Sequence, residues 1–365
     1  VPATAGGTSA AAPPPSEFRA MVRIAFGWPG LPDYAARCIR SVIERHPGSV
    51  DVVASRPRVP IEGMEESLGQ QPHWIADDSN SSWADLNLDV PDVFFQGFPH
   101  FESLAAECRA RGRKVVLMTD HNWTGSARQM TLDRLRHTLL LRRRFDGVFV
   151  PGAAGVRYAQ AVGYSRLPIA TGLYGADPVL FGGGGPLEAR PKRFVFVGQF
   201  IHRKNVTRLL EAFEVFSRDD RDWQIFLCGS GPLEGHIRQS DRIVLKRFLQ
   251  PKQLAELLRD SRCLILPSLE EHWGVVVHEA VRSGCAIATS RAVGSAADFA
   301  RPENSSLFSP YRTASILASI QEIARWPEAR WRSAEATSRN LGNLMGPDVF
   351  SRGVEALVDV LLSRR

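Results

Sequence analysis

Lysine is scarce in this chain of 365 residues, occurring only at Lys114, Lys192, Lys204, Lys246 and Lys252. The net charge of +6, from 45 basic and 39 acidic residues, is therefore carried almost wholly by arginine. No basic patch interleaved with aromatics accompanies that excess, so nucleic acid is not an expected partner. Long apolar runs are also missing. Clusters such as Thr138-Leu139-Leu140-Leu141 and Cys263-Leu264-Ile265-Leu266 are core-sized and fall well short of the ~18 residues a spanning helix needs. The five cysteines (Cys38, Cys108, Cys228, Cys263 and Cys285) are odd in number and form no CxxC. A disulfide scaffold is excluded, and buried free thiols in a reducing, cytoplasmic compartment are expected. No His or Cys grouping at metal-ligand spacing occurs, so neither a metal nor a cofactor is expected.

What is present suits a globular protein: 44% hydrophobic and 23% charged residues, in a length that accommodates roughly two domains. Val1 to Phe18 is rich in Ala, Pro and Gly without a basic or apolar region, and is expected to be a disordered leader rather than a signal peptide. Beyond it, short apolar runs alternate with helical patterns. Strands are expected at Met21 to Phe26, Val50 to Ala54, Val93 to Phe95, Lys114 to Thr119 and Gly147 to Val150, with helices at Tyr34 to Arg45, Leu104 to Arg111 and Arg128 to Arg144. Phe181-Gly182-Gly183-Gly184-Gly185-Pro186 reads as a linker. The alternation then restarts at Arg193. The fold class expected is α/β, with two Rossmann-like doubly wound domains, 19–185 and 186–345, facing a central cleft. The tail 346–365 repeats Val354, Leu357, Val358 and Leu361 at helical spacing and is expected to cross back to the first domain.

The chemistry concentrates in Pro267-Ser268-Leu269-Glu270-Glu271-His272-Trp273-Gly274-Val275-Val276-Val277-His278-Glu279-Ala280. A strand ends at Pro267, a polar loop follows, and a helix starts near Gly274. The first amides of such a helix lack intrahelical partners and carry partial positive charge, which suits a diphosphate. Glu279, one to two turns in, can accept hydrogen bonds from sugar or ribose hydroxyls.

This stretch resembles the Glu-x7-Glu motif of the retaining glycosyltransferases of family 4. Glu271 and Glu279 match its glutamates, Trp273 its aromatic position and Gly274 its glycine. Upstream, Phe196-Val197-Gly198 followed by Lys204, Cys228-Gly229-Ser230-Gly231-Pro232, and Tyr174-Gly175-Ala176-Asp177 with Phe181 are similar to family segments. The resemblance implies a GT-B enzyme that moves a hexose-type sugar from a UDP- or GDP-linked donor to a glycan, lipid-linked or small-molecule acceptor, with retention and without a metal. It assigns Glu271, His121 and Lys204 to catalysis: Lys204, with Arg203 and the Gly274 terminus, meets the diphosphate, and Glu271 holds the sugar. Glu279 holds the ribose, Phe248 and Leu249 the nucleobase, and Trp273 and Val275 also bind the donor. Gly30, in Gly27-Trp28-Pro29-Gly30, matches a donor-facing glycine loop, and His121 resembles a first-domain histidine that contacts the transferred sugar. The chain departs from the family at Gln199, Arg247 and Gly294-Ser295, where it usually has Arg, Gly and Gly-Gly. Arg203 then supplies the missing cation.

Two other readings compete. One is a GT-B sugar-nucleotide epimerase; the other is a catalytically idle nucleotide-sugar-binding protein. The segment Arg128 to Arg144 also reads two ways. Leu135, Leu139, Leu140 and Leu141 form a buried stripe behind a solvated face of Arg134, Arg136, Arg142, Arg143 and Arg144, or the segment is a patch that associates peripherally with the cytoplasmic face of an anionic membrane.

Overall fold

The computed structural model describes residues 22–57, 62–76 and 80–363; the expected leader lies outside them. In the first half, β1 (Ile24–Trp28), α1 (Asp33–Arg45), β2 (Val50–Ala54), α2 (Met64–Leu68) and β3 (His73–Trp74) come first. They are followed by β4 (Val93–Gly97), α3 (Glu102–Ala110), β5 (Lys114–Met118), the short turn α4 (Arg134–Arg136), β6 (Gly147–Val150), α5 (Ala153–Ala159) and β7 (Ile169–Thr171). The sheet is parallel, in the order β3-β2-β1-β4-β5-β6-β7. Strand β1 runs two residues beyond its apolar run because Gly27 and Trp28 pair with Val53 and Ala54. Alternation along the strands splits the core into two faces. Phe26, Phe95 and Val116 point to one, Ala25, Phe94 and Val115 to the other.

The second half contains β8 (Arg193–Val197), α6 (Val206–Asp219), β9 (Gln224–Cys228), β10 (Ile243–Lys246), α7 (Pro251–Arg259), β11 (Cys263–Leu266), α8 (Val275–Arg282), β12 (Ala286–Ser290), α9 (Ala296–Phe299) and β13 (Ser305–Phe308). These strands form a parallel sheet, β10-β9-β8-β11-β12-β13. Helices α10 (Thr313–Ala324) and α11 (Glu328–Gly342) complete this domain, and α12 (Pro347–Ser363) ends the chain. Helix α12 buries Phe350, Val354, Leu357, Val358 and Leu361 in the first domain's core, and its Glu355 receives Arg45 at 2.8 Å. The protein is therefore an α/β molecule of two Rossmann-like domains.

Between the domains, Leu173 belongs to the first core, whereas Ala176 and Phe181 belong to the second. The glycines at 183–185 lie exposed on the second domain. All five cysteines are buried and free. No helix among the described residues is long and apolar enough to cross a membrane.

One element departs sharply from its expected form. Residues 128–144 are helical but irregular: π turns at Gln129–Asp133 and His137–Leu141 flank α4, and a 3-10 turn covers Arg142–Arg144. The leucines are not a buried stripe. Leu132, Leu139 and Leu140 are each 66% exposed and Leu135 is 58% exposed. His137 sets the rotation, with Nδ1 2.9 Å from the Tyr164 hydroxyl, and one turn later Leu141 is buried. Those two anchors lie on one helix face, which turns the other leucines outward.

Candidate functional site

In an open parallel sheet, ligands bind beyond the carboxyl ends of the strands where the strand order reverses. In the second domain that point lies between β8 and β11, which are hydrogen-bonded neighbours. The loop after β8 passes Gly198 and tightens into a 3-10 turn over His202–Lys204. Glycine is required nearby: a Cβ on Gly229 would sit 2.0 Å from the Gly198 carbonyl oxygen. Asn205 adopts φ 60° and donates through Nδ2 to the Pro267 and Pro310 carbonyls, at 3.0 and 2.8 Å. That bond ties the Lys204 turn to the end of β11. The loop after β11 reverses at Gly274, φ +84°, and enters α8.

These two loops bring Lys204, Arg203 and Glu271 together. Lys204 Nζ donates to Glu271 Oε2, with the side chains only 12% and 10% exposed. Ser268 Oγ donates to the same carboxylate at 3.3 Å, and Arg203 Nη1 stands 3.7 Å from its other oxygen. Glu279 lies half-buried on α8. Desolvation, reinforced by the negative charge of Asp33 across the cleft, pushes its carboxyl up to about 8.

The first domain contributes the loop after β5. Asn122 Nδ2 donates to the backbone carbonyls of Glu271 and Ala292, at 3.1 and 3.2 Å, joining the domains at the motif itself. His121 stacks on Tyr158 at 5.3 Å and lies 4.5 Å from the ring of His272. Its Nδ1 is 2.9 Å from Thr119 Oγ1. Partial desolvation and the neighbouring His272 hold the His121 imidazole below its usual range. His272 is raised instead, chiefly by its hydrogen bond to Asp120. Burial works against the Asp120 carboxylate, yet hydrogen bonding and charge from His272 leave it below the usual range.

The donor atoms of Asp120, His121 and His272 lie within 4.8 Å of one another and could hold a metal ion. The linear sequence offers no such grouping, because the three residues come from opposite domains and meet only in the fold.

Phe248 and Leu249 line a cavity of about 400 Å³ with Gly198, Gly229, Ser230 and Pro232, adjoining Lys204 through Gly198. Val275 stands at the start of α8 as expected. Two residues differ from their expected roles. The Trp273 ring is 2% exposed, packs on Phe299 at 5.9 Å and lies so close to Gly152 that a Cβ there would meet it at 2.7 Å. It is an interdomain packing residue, not a donor-facing ring. The Gly30 amide is already taken by Ser55 Oγ at 2.7 Å, so Gly30 offers shape to the first-domain wall rather than a free donor. Sequence reasoning did not single out Asp33, Asp120, Asn122 or His272 for a role. Asp120 and Asn122 flank His121, and His272 lies inside the motif, so adjacency was the available signal.

Residues 185–339 match the model of the family described as glycosyl transferases group 1. The match falls on the second domain. The first domain lies outside the matched residues. The chain is 27% identical over 111 residues to an uncharacterized glycosyltransferase, YqgM, of Bacillus subtilis (strain 168), covering 28% of this chain and 31% of that protein. It is 23% identical over 156 residues to alpha-D-kanosaminyltransferase of Streptomyces kanamyceticus, covering 41% and 40%. Both alignments thus span less than half of the relative. The fold extends further than the sequence likeness. A structure of Anabaena Alr3699/HepE in complex with UDP and glucose matches with a TM-score of 0.71 at 12% identity, covering 93% of this chain and 99% of that one. With two Rossmann-like domains facing one another, the architecture is GT-B.

Proposed function

We propose that this protein is a retaining glycosyltransferase that transfers a hexose-type sugar from a UDP- or GDP-linked donor to a glycan, lipid-linked or small-molecule acceptor. The observation that carries the reading is the meeting of Lys204, Arg203, Glu271 and the start of α8 at the strand-order reversal, with Glu279 facing the same cleft. In this reading the nucleobase occupies the cavity of Phe248 and Leu249, Glu279 accepts from the ribose, and Glu271 from the sugar hydroxyls. Lys204, Arg203 and the first amides of α8 meet the charge that grows on the departing diphosphate. His121 faces the transferred sugar from the first domain. No metal is needed for this chemistry. The acceptor attacks from the leaving-group face, where the β-phosphate takes its proton, so no protein nucleophile is assigned. The relative with bound UDP and glucose supports a nucleotide-sugar donor, and the five buried free thiols support a cytoplasmic location.

The test is a panel of nucleotide sugars, each followed by NMR for nucleoside diphosphate release and for the anomeric configuration of the product. Release with retention is expected for one donor. Isomerisation of the donor without diphosphate release would indicate the epimerase instead, and binding without turnover an idle binding protein. Inversion at the anomeric carbon would refute the mechanism.

A further inference from the structure

Five of the twelve exposed large apolar side chains among the described residues fall within residues 130–140: Met130, Leu132, Leu135, Leu139 and Leu140. Such clustering on an otherwise polar surface marks an interaction site. The surrounding charge says what kind. Residues 128–144 carry six arginines against a single acid, Asp133. Arg128 stands 3.6 Å from Asp133 and Arg144 bonds Glu102. Arg134, Arg136, Arg142 and Arg143 are exposed and make no ion pair among the described residues.

We infer that this segment is a docking surface for an anionic lipid bilayer. Arginine forks bind headgroup phosphates, while leucines on the same surface insert at the boundary of headgroups and acyl chains. A second copy of the chain is disfavoured, because it would set two arginine clusters face to face. The segment also has a second side. Arg128, Gln129, Asp133, Arg136 and His137 line a cavity of about 670 Å³ that reaches His121 and His272. Docking would therefore open the cleft beside the membrane. Resting on the transferase reading, this assigns the acceptor to the lipid-linked class, its glycan entering past Arg136 while its anchor stays in the bilayer.

The test is co-sedimentation of the full chain with phosphatidylglycerol vesicles or with neutral phosphatidylcholine vesicles, in the absence of donor. Pelleting is expected with the anionic vesicles at low salt and loss of it at high salt, since the attraction is screened. Arg142→Gln with Arg143→Gln should weaken partitioning by about 25-fold, at about fivefold per arginine. Leu139→Gln with Leu140→Gln should weaken it at least as much while leaving donor hydrolysis unchanged, which separates docking from the transferase reading. The proposal is overturned by failure to pellet at low salt, by equal pelleting with neutral vesicles, or by a lipid-free dimer that the leucine variant dissociates.

Discussion

Lys204→Ala is the most direct probe of the diphosphate site. The ammonium is 12% exposed, so its charge acts in a partly desolvated site where water screens it little. Arg203 is 47% exposed at 3.7 Å from Glu271, and Gln199 brings no charge, so neither replaces the lysine. Losing one preorganised donor of this kind costs about 2.7–4 kcal/mol in the transition state, roughly 100- to 1,000-fold in turnover. The same substitution leaves Glu271 with Ser268 and distant Arg203, a loss of about 1–3 kcal/mol in stability. A thermal melt must therefore accompany the kinetics. Adding Glu271→Gln to Lys204→Ala removes the unpaired carboxylate and should restore much of the melting temperature without restoring turnover. The assay is steady-state release of nucleoside diphosphate, with direct titration of the diphosphate by calorimetry. Turnover within a few-fold of wild type, together with unchanged diphosphate affinity, would refute the placement of Lys204 on the leaving group.

Glu279 carries a pH signature. Its carboxyl, raised to about 8, is protonated in the free protein near neutrality, whereas ribose hydroxyls donate best to the carboxylate. Nucleoside diphosphate affinity should rise by up to about tenfold per pH unit on approaching pH 8, and calorimetry on Glu279→Gln should find that component gone. The raised value also means that the folded state holds this proton more tightly than the unfolded state. Its stabilising contribution is present at low pH and lost as pH rises through about 8, so Glu279→Gln should raise the melting temperature at pH 9 but not at pH 5. EDTA should leave turnover unchanged; loss of activity restored by Mn²⁺ would move the diphosphate chemistry onto a metal and draw attention to Asp120, His121 and His272. Trp273→Ala should destabilise the protein by about 3–5 kcal/mol, the usual cost of emptying a large aromatic site. Because its ring faces Gly152 and Phe299, Trp273→Phe should leave donor KM within twofold, and a selective rise in KM would return Trp273 to the donor site.

Apolar periodicity is local, so the alternation of strands and helices was legible along the chain, as were the loops that hold the polar residues after β8 and β11. Helix α12 was legible for the same reason: its apolar residues recur along one face, and a face of that kind must be covered. The expected crossing to the first domain sets it against Phe26 and Phe149, at 5.8 and 5.1 Å from Phe350; these particular partners, distant in the chain, could not be named from its spacing. The pairing of Lys204 with Glu271, the raised carboxyl of Glu279 beside Asp33 and the meeting of Asp120, His121 and His272 likewise depend on distances between segments that only the fold brings together. Trp273 sits where an aromatic was expected, but helix entry at Gly274 directs its ring into the domain interface. Residues 128–144 show the limit most plainly. Leucine spacing predicted a buried stripe, yet His137 held by Tyr164 and the insertion of Leu141 rotate the segment so that its leucines face outward. Periodicity names the residues that share a face; the neighbours packed against the segment decide which face is inside.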